Sequence, residues 1–568
     1  MANYWATITQ GRMARRRLLR TGAAFSVGAA SLALIGCGSD DGGDDDSNGG
    51  AAPEQPQGQV TGSTGDPKPG GRFGTSFATI GNYNVAAFYH DGYNNSGITA
   101  YDRLITARID KRGYVLEAAA SIELPDPMRV VIKLKPGMVF QNKAPVNGHK
   151  VTSADIVATQ QYIKQMTNAE NSGFIRQYVT RYEAPDENTV IYHLNSPLAY
   201  LFSSTYMANP TSQPMLPKEI LDVIDSTPAI GSGPFELVDH TFGVKYLYKK
   251  FDQYREAKAG KPYFAERETF GITDVVALEA AFRSEQTHVW DPPAAQVDRL
   301  TKELDSKKFA NVQYLSPGQS TFNAMMNFAQ GGDRPWKDIR FREAIYRLTN
   351  RQQFIDLSLS GRGVVPPGPI QASAEPYQLD PKETEKFFKQ DVAAAKQLLA
   401  AMNYDTSKEW ETVSSNSNAV NTAWAEIWQQ QLSQAGIKTR PVAVPLAELL
   451  PKKLAVSNFD FHIGGQPGGD TPFRAMRNQH SDTLDQFNNV GLFDKSVDAL
   501  IEKSEQATNR DENIKLVKQV QMEALNRYSL SYVFLTQQVY RFYNAKLQAF
   551  EIDPLTGQNY QINTWMSA

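Results

Sequence analysis

The side chains able to act as nucleophiles, bases or metal ligands are few and scattered. There is one cysteine, Cys37, and the seven histidines (His90, His149, His193, His240, His288, His462 and His480) form no HExxH or HxxxH pair. A zinc hydrolase of that type therefore has no ligand set in the sequence, and the expectation is no metal and no cofactor. A GxSxG elbow for a serine hydrolase is absent. Gly231-Ser232-Gly233 and Gly361-Arg362-Gly363 lack a third glycine, and Ala259-Gly260-Lys261-Pro262 lacks the Ser or Thr of a phosphate loop. Paired carboxylates could still meet in space, because sequence separation does not fix the roughly 5 to 10 Å between a glycosidase acid and its partner. A secreted, tethered glycosidase or peptidase thus stays open as an alternative. What is abundant is cleft material, 25 Tyr, 28 Phe and 7 Trp, most of which must be core.

Cys37 sits in a stretch that reads as an address. Arg15-Arg16-Arg17 precede an uncharged run from Thr21 to Ile35. Fifteen helical residues rise roughly 22 Å, short of the roughly 30 Å of bilayer hydrocarbon, so the run suits a removed secretory signal better than a span. Leu34-Ile35-Gly36-Cys37 resembles a lipobox, which makes Cys37 the lipidated N-terminus rather than a buried thiol. Arg15-Arg16-Arg17-Leu18-Leu19-Arg20 resembles a twin-arginine export signal, with Ala14 where Ser or Thr is usual; an ordinary basic n-region is the other reading. Residues 37–71 are Gly, Asp, Ser, Pro and Gln with little to bury, a disordered acidic tether. Asp40 to Asp46 lack the spacing and terminal Glu of a calcium loop. Without residues 1–36 the chain carries 53 basic against 61 acidic residues, minus eight, which disfavours nucleic acid as a partner.

Beyond the tether, strand-like and helix-like segments alternate. Val130 to Leu134 and Thr189 to Leu194 read as short strands. Thr152-Ser153-Ala154-Asp155 reads as a capping box opening a helix with Ile156, Val157, Tyr162 and Ile163. A helix after Asp338 aligns Phe341, Ala344, Ile345 and Leu348; another after Asp391 aligns Val392, Ala395, Leu398, Leu399 and Met402. A fourth carries Trp424, Ile427, Trp428 and Leu432, stops near Gly436 and leads into a strand from Lys438 to Val444. A helix from Asn513 to Leu525 precedes a β-rich run from Tyr532 to Tyr543. The class is α/β.

Four stretches, in order, resemble the family 5 extracytoplasmic solute-binding proteins of ABC transporters, the type that handles peptides and nickel. They are Leu134 to Phe140 with Pro145 to Gly148 and Val151 to Asp155; Gly231-Ser232-Gly233-Pro234-Phe235-Glu236-Leu237; Arg334 to Ile345 continuing through Asn350-Arg351 to Gly361; and Gln429 to Lys438. Asn142 to Val146 is insertion-like, and Asn350 stands where the family usually has Asp.

The resemblance implies a two-lobed, periplasmic-binding-protein type II fold with a hinge and an extra inserted small domain. Lobe I is expected from 72–103, 215–320 and 540–568, the insertion at 104–214, and lobe II at 321–539, with hinge crossings near Gln319 and Gln538. It implies no catalysis. A peptide or similar solute would bind between the lobes, and the closed form would dock on permease and ATPase subunits. The protein would be a monomer, exported and lipid-anchored on the outer face of the cytoplasmic membrane or in the periplasm. Peptide binders of the family tend to have a Trp followed by an Asp for the ligand ammonium. Here Phe461 to Pro472 offers no Trp, and Asp470 is the counterpart unless it only caps the turn before Pro472. His462, Gly465, Gln466, Phe322 and Asn323 complete the candidate ligand set. A solute receptor that signals to a membrane partner is the remaining alternative.

Overall fold

The structure, a computed structural model, describes residues 61–567 except 64, 78–82, 87–98, 109–112, 167–171, 204–205, 209–212, 316–320, 328–333, 417–418, 446–447, 450–457, 467–470, 482–493, 530–531, 553–558 and 561. Cys37, residues 38–60 of the expected tether and Asp470 therefore lie outside the described residues, whereas the end of that stretch is held to the body rather than disordered: the Gly70 N–H donates to the Tyr263 carbonyl at 2.8 Å and Thr61 Oγ1 accepts from the Phe550 N–H at 2.9 Å. No helix among the described residues is long and apolar enough to cross a membrane.

Three larger sheets organise the chain. The first has four strands in the order Arg72–Phe77, Glu266–Gly271, Lys245–Lys250, Phe235–Thr241. The second, wholly antiparallel, runs Ala119–Asp126, Arg129–Leu134, Thr189–Leu194, Val179–Asp186. It lies entirely between residues 104 and 214. Period-two alternation buries Val130, Ile132 and Leu134 on one strand and Val190, Tyr192 and Leu194 on its neighbour. Helix Ser153–Gln165 begins where the sequence indicates, with the Thr152 backbone N–H donating to the Asp155 carboxylate at 2.9 Å.

The third sheet has eight strands, ordered Val289–Trp290, Tyr532–Asn544, Thr321–Met326, Phe461–Gln466, Glu409–Ser415, Lys438–Val444, with Phe309–Leu315 and Gly363–Val364 also paired to Tyr532–Asn544. Helices Ile339–Leu348, Arg351–Ser358 and Ala419–Ser433 contribute to its core. Asp338 caps the first by accepting from the Arg340 N–H at 2.8 Å, and Phe341, Ala344, Ile345 and Leu348 are fully buried. Asn350 caps the second in the same way, its Oδ1 accepting from the Gln353 N–H at 3.1 Å, so the amide does the work of the usual carboxylate. Trp336 and Trp428 pack around Phe461 with ring centroids 5.0 and 5.5 Å away.

Gly231 to Phe235 shows why its glycines are needed. This stretch lies against the backbone of residues 99–101, with the Gly233 N–H donating to the Ala100 carbonyl at 2.9 Å. A Cβ on Gly231 would stand 2.1 Å from the Ala100 carbonyl oxygen, and one on Gly233 would be 2.7 Å from its carbonyl carbon. Gln141 locks the other side, donating from Nε2 to the Phe235 carbonyl at 2.9 Å.

Two predictions follow from this packing. Gly231→Ala should lower stability by about 3 kcal/mol, because backbone must retreat to admit the methyl group; chemical denaturation reads this, and a loss below 1 kcal/mol would refute the close approach. The second concerns His288 and His462, which burial holds down at about 4, with Arg72 adding to the effect at His288. Both stay neutral when folded, while the unfolded chain takes up protons below its ordinary value of about 6.5. Their stabilisation is therefore complete above pH 6.5 and lost as pH falls to about 4, roughly 3 kcal/mol each at most. His462→Gln should flatten the stability profile across that interval, and an unchanged slope would show that His462 titrates elsewhere.

Candidate functional site

Strand Phe461–Gln466 sits in the interior of the third sheet, between Thr321–Met326 on one side and Glu409–Ser415 on the other. Phe461 and Ile463 enter the tryptophan-rich core, so His462 and Gly464 alternate to the opposite face. The antiparallel register sets Phe322 opposite Gly465, Asn323 opposite Gly464 and Thr321 opposite Gln466. Five of the expected ligand residues thus share two neighbouring strands, four of them at the end where the chain enters residues 467–470. Gly465 is exposed there.

His462 differs in setting. It is 2% exposed, its ring stands edge-on to Phe459 with centroids 6.5 Å apart, and its buried Nδ1 has no hydrogen-bond partner among the described residues. It can offer a solute neither charge nor surface unless the cover over it opens. A Cβ on Gly464 would lie 3.2 Å from its Nε2, so glycine at that position leaves room for the ring.

Beyond residues 467–470 the chain re-enters the fold at Thr471, whose carbonyl accepts from Gln371 Nε2 at 3.0 Å, and forms the short helix Phe473–Arg477. This helix delivers Phe473 and Arg477 to side chains from the 172–206 segment. Phe473 stands edge-on to Tyr206 with centroids 4.8 Å apart, and Tyr206 stacks on Phe174 at 3.7 Å. Arg477 Nε donates to Glu505 Oε1 at 2.6 Å, and Nη2 donates to the Tyr178 hydroxyl at 2.5 Å and also bonds Glu505 Oε2. The Tyr178 hydroxyl in turn donates to Glu505 Oε2 at 2.6 Å. Both charged side chains are 2% exposed.

Electrostatics follow from that geometry. Burial opposes charge on Arg477, but the adjacent Glu505 carboxylate outweighs it and holds the guanidinium protonated. Burial, reinforced by Glu505, keeps the Tyr178 phenol neutral far above its ordinary range. Two further links run alongside: the Ala199 N–H donates to the Glu505 carbonyl at 2.6 Å, and Asn513 Nδ2 donates to the Tyr200 hydroxyl at 2.9 Å. Such a cluster can clamp two parts of a chain together; its charges are already matched. Sequence reasoning missed it because Arg477 and Tyr178 are 299 residues apart, and neither has a local pattern that signals the other.

Comparison with known proteins gives a consistent outcome. Residues 114–484 match the model of the bacterial extracellular solute-binding proteins, family 5 (middle). The chain is 25% identical over 374 residues to heme-binding protein A of Haemophilus influenzae, covering 61% of this chain and 62% of that protein. It is 24% identical over 336 residues to the glutathione-binding protein GsiB of Salmonella paratyphi A, covering 56% and 59%. The matches thus span about three fifths of these relatives' length. Among solved structures, the oligopeptide-binding protein AppA of Bacillus subtilis in complex with a nonapeptide superposes with a TM-score of 0.73 at 20% identity, over 89% of this chain and all of that one. With the family model covering more than half of its length and the same periplasmic-binding fold throughout, this chain belongs to family 5 of the bacterial extracellular solute-binding proteins.

Proposed function

We propose that the protein is the lipid-anchored solute receptor of an ABC-type importer, taking up a peptide or similar small solute between two lobes and presenting it to a permease with its ATPase. Lobe I comprises 72–103, 215–320 and 540–568, with the small domain 104–214 attached; lobe II is 321–539. Cys37 carries the lipid, and residues 38–60 give the body reach from the membrane.

The observation that carries this reading is the strand Tyr532–Asn544. Its Leu535 is buried in the core around Trp336 and Phe461, while its Phe542 is buried in a separate core with Phe282, Trp290, Leu300 and Phe309. Strands Phe309–Leu315 and Thr321–Met326 both pair with it, the first along 538–544 and the second along 532–536. Phe309–Leu315 and Thr321–Met326 thus lie against different parts of this strand, and its partners change near Gln537 and Gln538, which supports the expected crossing near Gln538; the one expected near Gln319 lies outside the described residues. The Arg477, Glu505 and Tyr178 cluster supports closure, since it joins lobe II to the small domain. A solute that binds both faces favours that closed arrangement by its differential affinity.

The relatives bind different things, a nonapeptide for AppA, glutathione for GsiB and heme for heme-binding protein A. Peptide is favoured here because Asp470 follows the strand that carries Gly465 and Gln466, where a buried carboxylate would meet an ammonium group.

Thermal unfolding in the presence of peptides, sugars and nickel chelates tests the reading. A ligand at a hundred times its Kd should stabilise by about 2.7 kcal/mol, and no stabilisation by any class would overturn it. Asp470→Asn should weaken a bound peptide by about 2 to 5 kcal/mol in calorimetry, whereas equal affinity would assign Asp470 to a turn. Cys37→Ser should move the protein from the membrane to the soluble fraction, and continued membrane retention would refute the anchor.

A further inference from the structure

Away from the interlobe region, three side chains from three separate segments converge. His149 lies beside Lys150, which bridges back to Val139; Asp155 lies in the first turn of helix Ser153–Gln165; Glu219 lies in the 3-10 helix Lys218–Val223. One ligand atom from each lies within 4.8 Å of the other two.

The hydrogen bonding around this group is incomplete in a specific way. His149 Nδ1 is 2.8 Å from the Lys150 carbonyl oxygen, which can only accept, so Nδ1 carries the hydrogen. In the neutral ring, Nε2 then presents a lone pair to Glu219 Oε2 at 3.0 Å. Two acceptors at that separation require a proton or a cation between them. Asp155 adds an independent observation. Its Oδ2 accepts from the Thr152 N–H at 2.9 Å and from the Thr152 hydroxyl at 2.8 Å, but its Oδ1 is buried with no hydrogen-bond partner among the described residues. The residue is 1% exposed, where an unmet carboxylate oxygen is strongly disfavoured. A proton on His149 would satisfy Glu219 and still leave Asp155 Oδ1 without a donor. A cation answers both.

We propose that His149, Asp155 and Glu219 bind one divalent transition-metal cation of the zinc class, at a site distinct from the solute cleft. One imidazole and two carboxylates suit zinc, whereas calcium would call for six to eight oxygens. The Nδ1–H to carbonyl contact is the outer support that metal-bound histidines commonly have. Phe140, edge-on to the ring with centroids 5.0 Å apart, also fixes its orientation. The side chains of His149 and Glu219 are 31% and 29% exposed, which leaves an entry path and open positions for water. The sequence expectation of no metal came from short-range patterns, and Glu219 is 70 residues from His149. The bound ion would pin the 218–223 turn to the start of helix Ser153–Gln165.

Calorimetry and thermal unfolding of the EDTA-stripped full chain carrying Cys37→Ser, which removes the one thiol, test this with zinc chloride as titrant. One zinc should bind and raise the melting temperature, with no response to calcium or magnesium. His149→Gln and Glu219→Gln should each weaken binding by about tenfold or more, while leaving the metal-free melting temperature unchanged. Absence of zinc binding, or equal affinity in both variants, overturns the proposal. Should either variant unfold, X-ray absorption of the zinc-loaded protein with His149 and Glu219 intact decides instead. One imidazole nitrogen among oxygens supports the site, and any other imidazole count overturns it.

Discussion

The rest of the structure hangs on the backbone hydrogen bonding of a single strand, Tyr532–Asn544. Thirteen extended residues reach roughly 40 Å, enough to lie within two cores in succession, and every strand that pairs with this one does so antiparallel. Near one end it is flanked by Val289–Trp290 and Phe309–Leu315, near the other by Thr321–Met326 and Gly363–Val364. Its backbone is flanked on both sides at Thr536, Phe542 and Tyr543, and Phe309–Leu315 and Thr321–Met326 each pair with a different part of it, so each body holds one end. The flanking partners change near Gln537, from Gly363–Val364 to Phe309–Leu315. A register shift opposite Phe322 and Asn323 marks the same neighbourhood. Phe322 and Asn323, expected from the sequence as ligand residues, stand at that register shift.

A second constraint opposes the first. Arg477 and Glu505 are removed from water together, and each compensates a charge that would otherwise be heavily penalised. Tyr178 completes the pairing from the other side, accepting from the guanidinium and donating to the carboxylate. Separating the 172–206 segment from the Phe473–Arg477 helix would leave the ion pair intact but strip the phenol from it and expose Phe473 and Tyr206. The contact is therefore specific in register while its dominant charge pair stays on one side.

Much of the fold was legible in the sequence because its signals are local. Asp338 and Asp391 each begin a helix because a short acceptor side chain meets an unpaired N–H two or three residues on, and that chemistry needs no tertiary context; Asn350 does the same for Arg351–Ser358, a helix the sequence reading did not place. The strand from Lys438 to Val444 emerged as read, bounded by Gly436 in the left-handed region. Gly231 and Gly233 were recognisable as a motif, though their reason, the approach of Ala100, needs the fold. The Arg477 cluster and the three residues around His149 were not legible, because each unites segments whose separation in sequence carries no periodicity. His462 shows the same limit in reverse: its position in a ligand-like stretch was readable, and its burial among Phe459 and neighbouring strands was not.

The residues between Val139 and Lys150 connect these separate pieces. At one end Gln141 holds the Gly231 to Phe235 turn by three hydrogen bonds, two through its side-chain amide and one from its backbone N–H. At the other end His149 faces Asp155 and Glu219. Asn142 to Val146, insertion-like in the sequence, lies between those two anchors. A cation at His149 would strengthen the weaker flank, where two side chains are about 30% exposed, whereas the Gln141 flank is buried and already satisfied. The stretch from Asn142 to Val146 and the proposed ion site are then neighbours in one local arrangement, with the ion holding the end of the connection.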